Sequence, residues 1–127
     1  GSWLSASNPV IRDIHEYCLV FSKDTFKKSS KGESSLEKEE FMESTLSVWN
    51  INAARAKKIG HPAPFPLDLP YKFINLYTYK NDLVLDPFIG SGTTAVAAKK
   101  LKRNYVGYEI NEKYIKIAKN RLKQEVN

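Results

Sequence analysis

Three sets of groups on one stretch of this chain could do chemistry together: the Asp86 carboxylate, the turn Gly90-Ser91-Gly92-Thr93-Thr94, and the Glu109 carboxylate. An ionised carboxylate only accepts hydrogen bonds, and it attracts cations. Glycine removes side chains where a ligand must approach the backbone. A turn that opens a helix adds N–H groups with no partner inside the helix. Together these residue types describe a cradle for a small, adenosine-like ligand.

The flanking residues supply the elements that would hold such a cradle. Leu83-Val84-Leu85 is a short apolar run between Lys80-Asn81-Asp82 and Pro87, the pattern of a buried parallel strand. Thr93 to Lys102 then carries Ala95, Val96, Ala98 and Leu101 at helical spacing. Tyr105-Val106-Gly107-Tyr108 reads as a second strand that delivers Glu109, and Asn111 can cap a helix lined by Ile115, Ala118 and Leu122. The prediction is a βαβα unit, hence an α/β fold.

Two ligand classes fit such a unit. Gly90 to Ala95 satisfies the dinucleotide fingerprint G-x-G-x-x-A, with Glu109 near the offset of the ribose-binding acid, so a nicotinamide-dependent oxidoreductase is one candidate. Asp86 discriminates, because a carboxylate just before the glycine turn repels a pyrophosphate but suits an ammonium group. S-adenosylmethionine has that distribution of charge, and Glu109 would accept from its ribose hydroxyls. No G-x-x-x-x-G-K-[ST] occurs, so a phosphate-loop nucleotide site is excluded.

Asp86-Pro87-Phe88-Ile89-Gly90-Ser91-Gly92-Thr93-Thr94 closely resembles the cofactor motif of amino-methylating DNA methyltransferases, which make N4-methylcytosine or N6-methyladenine. His61-Pro62-Ala63-Pro64-Phe65-Pro66 with Leu69-Pro70 resembles a second cofactor-side motif, in the order of the permuted beta class. Gly1-Ser2-Trp3, Ser5 to Pro9, Arg12 to Tyr17 and Val20 to Lys23 resemble the segment after the catalytic half. The resemblance implies part of a Rossmann-like methyltransferase sheet, incomplete in this chain. It implies an enzyme of DNA methylation and restriction-modification that transfers methyl from S-adenosylmethionine to an exocyclic amino group in double-stranded DNA. The cofactor residues it implies are Asp86, Pro87, Phe88, Gly90, Ser91, Gly92, Thr93, Glu109 and Ile110, with His61 and Phe65 at the methionine end.

The family's catalytic tetrapeptide, a polar residue before Pro-Pro and an aromatic, is expected before residue 1. Asp68-Leu69-Pro70-Tyr71 lacks the first proline and reads instead as the start of a helix from Pro70 through Leu76. The catalytic groups would therefore come from a missing N-terminal part or from a second chain, a homodimer included, and this chain alone is expected to be inactive. A non-catalytic cofactor- or DNA-binding module derived from a methyltransferase is the remaining alternative. The organisation expected is a strand segment of the catalytic half at 1–23, a flexible loop with a short target-recognition-type insert at 24–57, and the cofactor unit at 58–127.

A chain of 127 residues buries one modest core and falls short of a seven-stranded sheet. The net charge of +6 attracts a polyanion without specificity. Lys99, Lys100, Lys102, Arg103, Lys113, Lys116, Lys119, Arg121 and Lys123 read mostly as outer helix faces. One cysteine forms no internal disulfide and no apolar run reaches about 20 residues, so a reducing, cytoplasmic compartment and no membrane are expected. Cys18, within Tyr17 to Phe21, is expected to be a packed thiol on a strand, and Ser44 to Ile51 a further strand with Trp49 as a core or pocket-wall aromatic. His15 and His61 have no metal-ligand spacing, and no metal is assigned.

Overall fold

The computed structural model of the protein describes residues 11, 13–28, 30–52 and 65–124. In chain order the elements are α1 (Lys38–Ser44), α2 (Asp68–Tyr77), β1 (Leu83–Asp86), α3 (Thr93–Lys100), β2 (Asn104–Gly107) and α4 (Glu112–Gln124). The fold is α/β. β1 and β2 run parallel, in register from Leu83↔Asn104 to Asp86↔Gly107, with α3 as the crossover.

Alternation along β1 decides where the core sits. Val84 turns to a cluster of Ile74, Ala97, Ala98 and Leu101, joined by Leu67 and Tyr71. Leu83 and Leu85 face the other way and remain 64% and 61% exposed, so the described sheet is covered on one face only. Four consecutive alanine and valine residues, Ala95 to Ala98, let α3 lie close on the strands, and all four are fully buried.

Both strands are entered through tight, mutually bonded turns. α3 ends in a Schellman arrangement: the Arg103 N–H donates to the Ala98 carbonyl (2.8 Å) and the Lys102 N–H to the Lys99 carbonyl (3.1 Å), with Lys102 at φ +60°. Asn81, also left-handed at φ +68°, donates its N–H to the Lys102 carbonyl at 2.8 Å. α2 begins at Asp68, two residues before the expected Pro70, because proline is tolerated within a first turn and Asp68 favours the helix N-terminus.

Arg103 departs from the outer-face expectation, since it is only 4% exposed. Its Nε donates to Thr78 Oγ1 (2.9 Å), Nη2 to the Thr78 carbonyl (2.7 Å), and Nη1 to Ser35 Oγ (2.6 Å) and the Leu101 carbonyl. These acceptors are neutral, and burial pushes the guanidinium pKa down. Ser35 Oγ in turn donates to Asn75 Oδ1 at 2.6 Å, and the Lys80 N–H donates to the Glu33 carbonyl at 2.9 Å. The polar stretch ahead of α1 thus lies against α2 through partners far along the chain.

Asp82 gives this region a pH signature. Its carboxylate pairs with Lys28 and accepts the Tyr79 N–H at 2.8 Å, and both hold its pKa below the ordinary 3.8. A folded value below the unfolded one stabilises above the unfolded pKa, and that contribution is lost as pH falls through the folded value. Asp82→Asn is therefore expected to lower the urea midpoint at neutral pH. The difference from wild type should close below pH 3.8.

Two expected elements are corrected. Ser44 to Ile51 is not a strand: α1 ends at Ser44, and Leu46 and Val48 are exposed. Trp49 folds back instead, its Nε1 donating to the Ser44 carbonyl (3.1 Å) and its ring 5.0 Å from that of Phe73. Tyr17 to Phe21 pairs with no strand among the described residues, and Cys18 is exposed rather than packed. In both runs the β-forming composition is present, but among the described residues no neighbouring strand makes use of it.

Candidate functional site

The parallel register brings the two candidate carboxylates to one edge. Asp86 is the last residue of β1, and Glu109 follows β2 by two residues. In open α/β sheets the carboxyl ends of the strands are where ligands bind. The loops leaving that edge are joined, since the Tyr108 N–H donates to the Asp86 carbonyl (3.1 Å) and the Ile89 N–H to the Tyr108 carbonyl (3.0 Å). Gly107 is required here: a Cβ on it would meet Ile89 Cβ at 2.8 Å.

Each carboxylate is aimed by the backbone two residues on. Asp86 Oδ1 accepts the Phe88 N–H at 2.9 Å, and Glu109 Oε1 accepts the Asn111 N–H at 2.7 Å. Such local turns fix the side chain with one oxygen and leave the second for a ligand. Among the described residues no lysine or arginine forms an ion pair with either acid. The edge is thus an acceptor-rich, negatively charged rim, bordered by apolar surface on Phe88 (86% exposed) and on the fully exposed Ile110.

Between the acids, the turn Gly90 to Thr93 is built from within. Gly90 and Gly92 have φ +51° and +84°, and Gly92 is the left-handed N-cap of α3. A Cβ on Gly92 would lie 2.7 Å from Ala118 Cβ, so this glycine also admits α4. Asn111 caps α4 as expected, its Oδ1 accepting the Lys113 N–H at 3.0 Å. Ser91 and Thr93 are 4% and 3% exposed. They meet Arg121, whose Nη1 lies 3.0 Å from the Ser91 carbonyl, 3.3 Å from Ser91 Oγ and 3.0 Å from Thr93 Oγ1.

Asp86, Pro87, Phe88, Gly90, Ser91, Gly92, Thr93, Glu109 and Ile110 therefore lie along one sheet edge and its two connected loops. Phe65 lies three residues ahead of α2 and is 39% exposed. His61 lies outside the described residues. Arg121 and Ala118 were missed as parts of the turn. Their signal is spacing, for three positions on one helix put a small residue and a cation on the same face. Among the described residues no group of three or more His, Cys, Asp or Glu could hold a metal, and no helix is long and apolar enough to cross a membrane.

A family model described as DNA methylase matches residues 1–120. The type II methyltransferase M.BglI of Bacillus subtilis is 44% identical over 93% of this chain and 33% of its own length. M.HindIII of Haemophilus influenzae is 37% identical over 100% of this chain and 46% of its own. The chain thus spans a third to just under half of these relatives. A candidate DNA modification methylase of Thermus thermophilus, solved in complex with S-adenosyl-L-methionine, superposes with TM-score 0.62 at 35% identity, over 72% of this chain and 35% of that one.

Proposed function

Because this chain belongs to the N6/N4 DNA methylase family, we propose that its sheet edge binds S-adenosylmethionine and that the protein methylates the exocyclic amino group of cytosine (N4) or adenine (N6) in double-stranded DNA. The observation that carries this is the pair of carboxylates at one edge, each aimed by its own backbone and flanking a glycine turn. The acceptor set fits the cofactor: an acid for an ammonium and an acid for two hydroxyls, with no lysine or arginine among the described residues paired to either.

In this reading Asp86 holds the amino-acid end and Glu109 accepts from the ribose. Phe88 and Ile110 cover apolar surface of the ligand, while Pro87, Gly90, Ser91, Gly92 and Thr93 form the cradle wall. His61 and Phe65 complete the methionine side. Bound there, the cofactor supplies a methyl group activated on a sulfonium. The chain's own contribution is alignment, the means by which positioned reactants avoid the entropy of encounter. Residues 58–127 are then the cofactor unit and 24–57 a short target-recognition insert.

The test is calorimetric titration of the full-length protein with S-adenosylhomocysteine and with NAD, followed by transfer of labelled methyl to duplex DNA. Binding of the first ligand and label in N4-methylcytosine or N6-methyladenine is expected. Binding of NAD alone would overturn the proposal.

A further inference from the structure

We propose that Arg121 is a positioning residue for the glycine turn: from α4 its guanidinium holds the peptide between Ser91 and Gly92 in the one orientation that the cofactor meets. This rests on the reading above. That peptide is fixed at both ends, its N–H donating to the Ile89 carbonyl at 2.8 Å and its C=O accepting from Arg121 Nη1 at 3.0 Å. The same nitrogen reaches Thr93 Oγ1, so one charged group spans the turn and the first residue of α3.

The need for a clamp follows from the glycine itself. Gly92 sits at φ +84°, and glycine adopts either sign of φ almost equally well. The residue that permits this turn therefore also permits its peptide to flip, which would carry the Ser91 carbonyl out to solvent, where water can satisfy it. With Arg121 in place a flip abandons a charge-assisted bond in a part-buried setting. Without Arg121 the flipped turn becomes populated. Apparent cofactor affinity then falls with the fraction of competent turns, while the rate at saturating cofactor does not.

The experiment compares wild type, Arg121→Met and Arg121→Lys in the full-length protein. Methionine keeps an apolar stem without charge, and lysine has a shorter stem and no fork. The readouts are the dissociation constant for S-adenosylhomocysteine, KM against kcat for S-adenosylmethionine, and exchange of the Gly92 amide in the ligand-free protein. Arg121→Met is expected to raise the dissociation constant and KM about tenfold, to change kcat less than about twofold, and to speed Gly92 exchange. Arg121→Lys should shift affinity about threefold. Unchanged affinity and exchange overturn the proposal, as does a fall in kcat with KM unchanged, which marks a structural role. If Arg121→Met does not fold, wild-type behaviour of Arg121→Lys overturns it equally. If the wild type itself binds no S-adenosylhomocysteine, the functional reading fails, and Gly92 exchange still decides the clamp.

Discussion

Asp86→Ala is expected to weaken S-adenosylhomocysteine binding about a hundredfold in the full-length protein. Two losses combine. The ligand's ammonium loses a charged acceptor, and the Phe88 N–H, 2.9 Å from Asp86 Oδ1, loses the bond that shapes the first step of the loop. A hydrogen bond to a charged group contributes about 1.5–3 kcal/mol, and each 1.4 kcal/mol is a factor of ten. Asp86→Asn separates the two, because the amide oxygen still accepts from Phe88 while the charge is gone, and about a tenfold loss is expected. Stability should change little in either variant, since the carboxylate is half-buried at a sheet edge. Calorimetry reads the affinities and urea melts the stabilities. An alanine variant that binds within about threefold of wild type would falsify the role given to Asp86.

The second large effect is on folding. Gly92→Ala forces a Cβ to within 2.7 Å of Ala118 Cβ and 3.1 Å of its Cα, on a residue at φ +84°. The left-handed backbone costs an alanine roughly 1–2 kcal/mol. Overpacking against a helix that cannot retreat costs about 1–3 kcal/mol more. A loss of about 2–5 kcal/mol is expected, a large share of the stability of a small domain. Gly90→Ala, at φ +51°, serves as the comparison and should lose about 1 kcal/mol. Equal urea midpoints for the two variants would show that α4 yields and that the close approach at Ala118 carries no stability.

Most of the unit around the turn was legible because its signals are local. The apolar run at Leu83 to Leu85, the glycine pair, the alanine-rich helix and the Asn111 cap each act over a few residues, and β1, α3, β2 and α4 occur where those signals lie. Glu109 arrived beside Asp86 through the parallel pairing that a short βαβ crossover imposes. What was not legible depends on distant partners. Arg103 and Arg121 look like ordinary surface cations at helical spacing, and only the folded chain supplies the Thr78, Ser35, Ser91 and Thr93 oxygens that draw them in. Tyr17 to Phe21 and Ser44 to Ile51 have the composition of strands, yet a strand exists only where another pairs with it, and composition cannot show that. The glycine at 92 also makes room for Ala118, a close approach from a helix 26 positions along the chain that no local signal announces.

The tie between Ser35 and Arg103 has a consequence for the order in which the molecule assembles. That bond joins residues 68 positions apart, whereas β1, α3 and β2 close on one another within a short stretch of chain. Closure entropy grows by about 0.6 kcal/mol for each doubling of the loop, and a long closure yields nothing until its receiving surface exists. The Thr78 carbonyl and hydroxyl that share the guanidinium belong to that surface. The segment around Ser35 is therefore expected to join a sheet already formed, and the Ser35–Arg103 bond to open before the sheet does.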